Sequence, residues 1–324
     1  MTLLKTLGSA AVCAVIAASS ACAETPVLRA AVMESGTVNW ELDTITHYGF
    51  DADHGFDLEV TGMGGGNASQ IAFLGGEADV IVSDWLWVAR QKAAGVDLVF
   101  IPYSKAVGGL LVKDDSPAET LADLDGAKIG IAGGPLDKSW LILRAYAQQE
   151  FGMDLVAQTE QVFGAPPLIA ETALSGETQG AINFWHWAAK MEAGGMHSLV
   201  DVSTAAEALG LDPETPLLGY VLHGETFAEN PDLVYALADA SADAKALLAT
   251  DSAAWDRLRD RMNARSDEQF EALKAGFIAG IPAAGSVDEA AAARMMALMI
   301  ELGGAELVGD MTEMPSGIFL QPRN

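Results

Sequence analysis

Six of the seven tryptophans (Trp40, Trp85, Trp87, Trp140, Trp185 and Trp187) fall at predicted strand ends or helix starts. Three carboxylates, Glu34, Asp84 and Asp137, stand close to them in sequence. Indole faces beside carboxylates suit a cationic or amine ligand, through cation–π attraction of about 0.5–2 kcal/mol per ring and direct ion pairing. They suit a flat nitrogen heterocycle equally well, stacked on indole and hydrogen-bonded at its edge. Trp is also an ordinary core residue, and helical positions two apart do not share a face. One of Trp85 and Trp87, and one of Trp185 and Trp187, is therefore expected to pack inward. Asp137 has a second role open to it, as the N-cap of the helix that follows. Of the five histidines, only His186, between Trp185 and Trp187, is placed at the ligand.

An anion is the competing ligand. Helix starts at Asn67, after Gly64-Gly65-Gly66, and at Lys138-Ser139 offer backbone N–H groups of the kind that bind anions. Gly-rich turns before helices are also ordinary geometry, so both options stay open, and a zwitterion would use both ends. No paired histidines suggest a metal site, and no cofactor is expected. Neither a Gly-x-Ser-x-Gly elbow nor a Walker loop is present. Both cysteines, Cys13 and Cys22, lie close to the N-terminus, which removes thiol chemistry from the rest of the chain.

These residues need a scaffold, and the sequence repeats one. Leu74-Gly-Gly-Glu-Ala-Asp79-Val-Ile-Val-Ser-Asp84-Trp85 aligns with Leu174-Ser-Gly-Glu-Thr-Gln179-Gly-Ala-Ile-Asn-Phe184-Trp185, one hundred positions later. Each reads as a helix ending at Gly, a short buried parallel strand, and a Trp just past the strand. Ligands of open α/β sheets bind beyond the carboxyl ends of the strands. Strands are predicted at 28–33, 57–61, 79–82, 98–102, 107–113, 128–132, 159–163, 181–184 and 217–223. Helices alternate with them at 39–47, 67–74, 85–94, 137–151 and 167–174. Ser116-Pro117-Ala118-Glu119 reads as a capping box, and Asn230-Pro231, Ser266–Gln269 and Ser286–Glu289 as helix starts in an Ala-rich tail. The expected fold is α/β. Two doubly wound lobes are joined by crossings at 107–113 and 217–223, with a ligand cleft between them and the C-terminal helices packed on lobe 1.

Lys5, the apolar run 7–18 and Ala21-Cys22-Ala23 read as a signal peptide cut after Ala23; lipid attachment at Cys22 is the alternative. The expected division is 1–23 signal, 24–107 first part of lobe 1, 108–216 lobe 2, and 217–324 the return to lobe 1. A net charge of −27 speaks against nucleic acid as a partner.

Several segments resemble the solute-binding proteins of ABC importers in the nitrate/taurine/sulfonate and thiamine-pyrimidine group. They include Leu28-Arg-Ala-Ala-Val32, Glu34-Ser-Gly-Thr37-Val-Asn39-Trp40, His54-Gly-Phe-Asp-Leu-Glu-Val60, Gly75-Gly-Glu-Ala-Asp79, Leu121-Ala-Asp-Leu-Asp-Gly-Ala-Lys-Ile-Gly130 and Leu174-Ser-Gly-Glu177. Each is loose alone, but their order and spacing, from about residue 27 to 260, are specific. The resemblance implies a two-lobed periplasmic protein, expected to be a monomer without enzymatic activity, with a pyrimidine-synthase-like enzyme on the same fold as the lesser alternative. The protein would close on a small solute and deliver it to a permease and its ATPase; a ligand-loaded sensor shares every feature. The candidate ligand-binding residues are Glu34, Thr37, Asn39, Trp40, Gly65, Asn67, Asp84, Trp85, Asp137, Trp140, Trp185 and His186.

Overall fold

The computed structural model describes residues 25–285 and 287–323. The expected signal peptide, with Cys13 and Cys22, and Ser286 lie outside them. Among the described residues ten strands form two sheets: β1 Val27–Met33, β2 Asp57–Met63, β3 Val80–Asp84, β4 Leu98–Ser104, β5 Gly109–Lys113, β6 Lys128–Ala132, β7 Glu160–Gly164, β8 Gly180–Asn183, β9 Met196–Asp201 and β10 Leu218–His223. The first sheet has the order β2-β1-β3-β10-β4 and the second β7-β6-β8-β5-β9. The first three strands in each order run parallel, and the fourth is antiparallel to both its neighbours. That fourth strand belongs to a crossing: β5 arrives from lobe 1, and β10 returns from lobe 2. The repeat seen in the sequence is therefore structural, because β3 and β8 hold the same central place in their sheets.

Register brings the crossings against the repeat units. Leu218 pairs with Asp84, and Gly109 with Asn183. The backbones meet so closely there that a Cβ on Gly108 would lie 1.7 Å from the Asn183 carbonyl oxygen. Only glycine fits.

Helices cover both faces of each sheet, and their ends follow local chemistry. The helix Val38–Tyr48 stops at Gly49, whose φ of 76° is left-handed. Pro166–Ser175 stops in the same way at Gly176, with φ 83°. Glycine takes this conformation without a Cβ penalty. Pro231–Thr250 begins at the Asn230 cap with Pro at its first position. In the tail, Ser266 accepts from the Gln269 N–H while the Gln269 amide accepts from the Arg265 N–H.

Local structure differs from expectation in several places. Residues 116–119 are not helical; the reciprocal cap is further on, where Thr120 and Asp123 close the 3₁₀ turn Leu121–Leu124. The last long helix, Glu289–Val308, is capped by Asp288. The strand β9 and the helices Phe50–Asp53, Leu155–Gln158, Trp185–Glu192, Val202–Ala208, Gly224–Glu229 and Ser252–Met262 are additions to the predicted elements. β9 is an edge strand whose sequence, Met-His-Ser-Leu-Val-Asp, lacks an alternating apolar pattern, and only pairing with β5 makes it a strand.

The tail helices Pro231–Thr250 and Ser252–Met262 pack on the lobe 1 helix Val38–Tyr48. Two others also reach lobe 2. Asp267–Ala279 packs on Trp185–Glu192, and Glu289–Val308 lies against both Trp85–Ala93 and Lys138–Phe151. Beyond it, Phe100 donates to the Ile318 carbonyl and accepts from the Leu320 N–H, which fastens the C-terminal segment alongside β4. Among the described residues no helix is long and apolar enough to cross a membrane.

Candidate functional site

A cavity of about 300 Å³ lies between the lobes, at the carboxyl ends of the central strands. Lobe 1 contributes Met33, Thr37, Val38, Ser69, Asp84 and Tyr103; lobe 2 contributes Asp137, Lys138, Ser139, Phe184, Trp185 and His186. The crossing segments close it with Val107, Gly108, Leu217 and Leu218. Its walls are mostly apolar, with a few convergent polar groups, as small-molecule sites generally are.

Two helix N-termini meet here. Asp84 caps Trp85–Ala93, its Oδ1 accepting from the Trp87 N–H at 2.9 Å. Asp137 caps Lys138–Phe151, accepting from the Trp140 N–H at 3.1 Å. The other oxygen of Asp84 accepts from Lys138 Nζ at 2.9 Å, an ion pair that spans the lobes inside the cavity. A lysine in the first turn opposes the helix dipole. Burial pulls the ammonium's pKa down, but the pull of Asp84 outweighs it and leaves Lys138 above its ordinary value. Burial raises the Asp137 carboxyl, against the opposing pull of the Trp140 N–H and Lys138. The cavity thus holds two carboxyl groups against one ammonium.

His186 is neutral at physiological pH, because burial and then Lys190 push its pKa down to about 4. The unfolded chain protonates near 6.5, so between about 6.5 and 4 the unfolded state binds the extra proton. Stability linked to His186 is present above that window and is lost as pH falls through it. Thermal melts at pH 7 and pH 4.5 are expected to show a smaller acid-induced drop in His186→Asn than in the wild type. Equal drops would remove His186 as a contributor.

The sequence-predicted residues divide sharply. Thr37, Asp84, Asp137, Trp185 and His186 line the cavity. Gly65 and Asn67 flank Gly66, which lines it, but Asn67 itself is exposed. Glu34 is exposed away from the cavity, with its stem against Gly62. Asn39 is buried and spends its amide on the carbonyls of Met33, Glu34 and Gly36, holding the loop after β1. Trp40, Trp85 and Trp140 are core residues, at 4%, 0% and 1% exposure. Trp87 is buried as well, edge-on to Phe73, so both members of the Trp85/Trp87 pair pack inward.

The two equivalent tryptophans have different fates because different distant segments meet them. Trp85 is covered by the C-terminal segment, 5.9 Å from Phe319. Trp185 leans across the gap onto lobe 1, edge-on to Trp40 at 5.9 Å. Only one of the two therefore faces the cavity. Phe184, beyond its strand end as the repeat predicts, also lines the cavity, while sequence reasoning misses the contributions of Tyr103, Ser69 and the Lys138 side chain. Lys138 alone carries a signal, being a cation in a first turn where the dipole disfavours one.

Behind the cavity floor, Tyr103 Oη lies 3.5 Å from Thr37 Oγ1. Beyond Tyr103 stands a buried network. Glu41 Oε1 accepts from Tyr220 Oη (2.7 Å), Ser241 Oγ (2.6 Å) and Lys245 Nζ (2.9 Å). Burial and the Glu41 carboxylate raise both tyrosine pKa values well above normal, so the phenols stay protonated. Among the described residues no group of three or more His, Cys, Asp or Glu is arranged to hold a metal.

Solved structures share this fold at low identity. The alkanesulfonate-binding protein SsuA from Xanthomonas axonopodis pv. citri, bound to MOPS, superposes with a TM-score of 0.68 at 16% identity, covering 93% of this chain and 100% of its own. The periplasmic aliphatic sulphonate binding protein SsuA from Escherichia coli gives 0.63 at 18%, covering 87% and 94%. A mutant of the desulfurization enzyme DszB, in complex with biphenyl-2-sulfinic acid, gives 0.59 at 17%, covering 90% and 95%. No curated protein matches the sequence. The family model described as NMT1/THI5 like matches residues 46–252, more than half of the chain. The chain belongs to the NMT1/THI5-like family, within the group its motifs resemble.

Proposed function

We propose that this is a periplasmic solute-binding protein that captures a small nitrogen-containing molecule (an amine, zwitterion or N-heterocycle) by lobe closure. It hands that solute to a permease and its ATPase. In this reading residues 24–107 and 217–324 form lobe 1, residues 108–216 form lobe 2, and the segments around 107–109 and 217–218 bend. The observation that carries it is the interlobe cavity with the Lys138–Asp84 pair across it. Each lobe supplies half of the ring-lined, charged site, so a ligand contacts both lobes only when they close. Family membership and the SsuA-like fold support the transport role; a ligand-loaded sensor would use the same site.

A sulfonate is the alternative solute, favoured by the ligands named for the SsuA proteins. The carboxylates favour the nitrogen-containing solute in this reading. Asp84 and Asp137 occupy the two helix starts where a sulfonate would sit, and a lone lysine already paired with Asp84 does not offset both. Enzymatic turnover of the DszB kind has less support, since no cysteine follows Cys22.

Asp84→Asn separates the ligand classes, because Asn still caps the helix while the counter-charge is lost and Lys138 is freed. In titration calorimetry this variant is expected to lose at least tenfold in affinity for benzylamine and to keep or gain affinity for benzenesulfonate. The opposite pattern would assign the site to anions. Scattering is expected to show a smaller radius of gyration with solute bound. An unchanged profile at saturation would count against closure.

A further inference from the structure

We propose that Trp185, seated on Gly276, is the size filter of the interlobe site, the residue that fixes how large a ring the cavity accepts; this rests on the solute-binding reading above. Trp185 lines the 300 Å³ cavity. Together with Ala106, Val107 and Gly108 it also lines a second cavity of about 680 Å³. Those four residues are shared by the two linings, and the indole is the one large side chain among them. In this proposal the indole is the part of that shared wall that a substitution can move.

The indole is held from lobe 1. Its edge meets Trp40, which is itself packed against Trp255 and Phe277. Its six-membered ring lies directly over Gly276, in the helix Asp267–Ala279. A Cβ at that position would stand 2.8 Å from both Cε3 and Cζ3. Side-chain carbons do not approach a ring that closely, so glycine at 276 is what lets the indole lie back against lobe 1. Any side chain there pushes the ring off the helix. Trp40 already bears on the ring, and in this proposal the displacement goes into the smaller cavity, which then shrinks. Truncating the indole does the reverse and joins the two spaces.

The joined space would favour one chemical class. The second cavity is lined by Glu192, Asp201 and Glu207, while Glu214 in the same lining is paired with Lys105 at 2.7 Å. A bulkier amine, with positive charge beyond its ring, fits that lining; a bulkier anion does not.

Benzylamine and 1-naphthylmethylamine serve as the small and large probes, titrated calorimetrically into the full chain and its variants, with folding checked by thermal melts. The ratio of affinities, large over small, is expected to rise at least tenfold in Trp185→Ala and fall at least tenfold in Gly276→Ala. Adding Trp185→Phe to Gly276→Ala should restore the wild-type ratio, since a smaller ring relieves the contact. Unchanged ratios in both single variants, with wild-type protein still binding benzylamine, would overturn the filter and leave the solute-binding reading intact. A wild-type protein that binds neither amine overturns that reading, and the filter with it. If Gly276→Ala does not fold, the ratio in Trp185→Ala and Trp185→Phe decides alone.

Discussion

Lys245→Met is expected to cost about 3–5 kcal/mol of folding stability, measured by urea unfolding. Lys245 and Glu41 are both buried, and their ion pair lies inside lobe 1, with the ammonium 5.1 Å from the centre of the Tyr103 ring. Removing the lysine leaves a carboxylate out of contact with water. Two hydroxyl donors on Oε1 remain, but Oε2 has no partner among the described residues. An unpaired buried charge is among the most destabilising changes a core can suffer. The double variant Glu41→Gln with Lys245→Met removes both charges and should recover a large part of the loss. A double variant as unstable as the single one would show that shape, and not charge, is what the lysine supplies. Because Tyr103 lines the cavity and touches this network, solute affinity should fall along with stability in the single variant.

Trp85→Ala is expected to lose about 3–5 kcal/mol of stability, in line with other large-to-small aromatic truncations in cores. The ring is fully buried and packs against Phe319 of the C-terminal segment. Its Nε1 has no hydrogen-bond partner among the described residues, so the loss is one of packing. The variant should also loosen the segment Ile318–Leu320 from β4, read as faster amide exchange at Phe100 and Leu320. Affinity per folded molecule should stay at the wild-type value. Trp185→Ala should behave in the opposite way, weakening benzylamine by about 1–3 kcal/mol while changing the melting temperature less. Should Trp85→Ala abolish binding in a protein that still melts like the wild type, its ring would have to reach the ligand by a motion absent from this structure.

The offset repeat, the short apolar strands between Gly-ended helices, and the two crossings at 107–113 and 217–223 are legible in the sequence. Their causes are local. Period, caps and turn glycines depend on neighbours a few residues away, and the same pattern twice in one chain implies the same sheet twice. β9 is not legible, because an edge strand with mixed residues is defined by its partner β5. Asp84, Asp137 and His186 can be found because position beyond a strand end is itself a property of the local sequence. The sequence also supplies both ends of the Lys138–Asp84 pair, but not the pair. Those residues are 54 positions apart, and only the approach of two lobes brings them to 2.9 Å. The same holds for the tryptophans. Trp85 and Trp185 occupy equivalent sites in equivalent units, and nothing within either unit distinguishes them. One is covered by Phe319 from the end of the chain and becomes core; the other rests on Gly276 and becomes cavity wall. Burial is decided by whichever distant segment arrives to cover a face, and that is a property of tertiary packing alone.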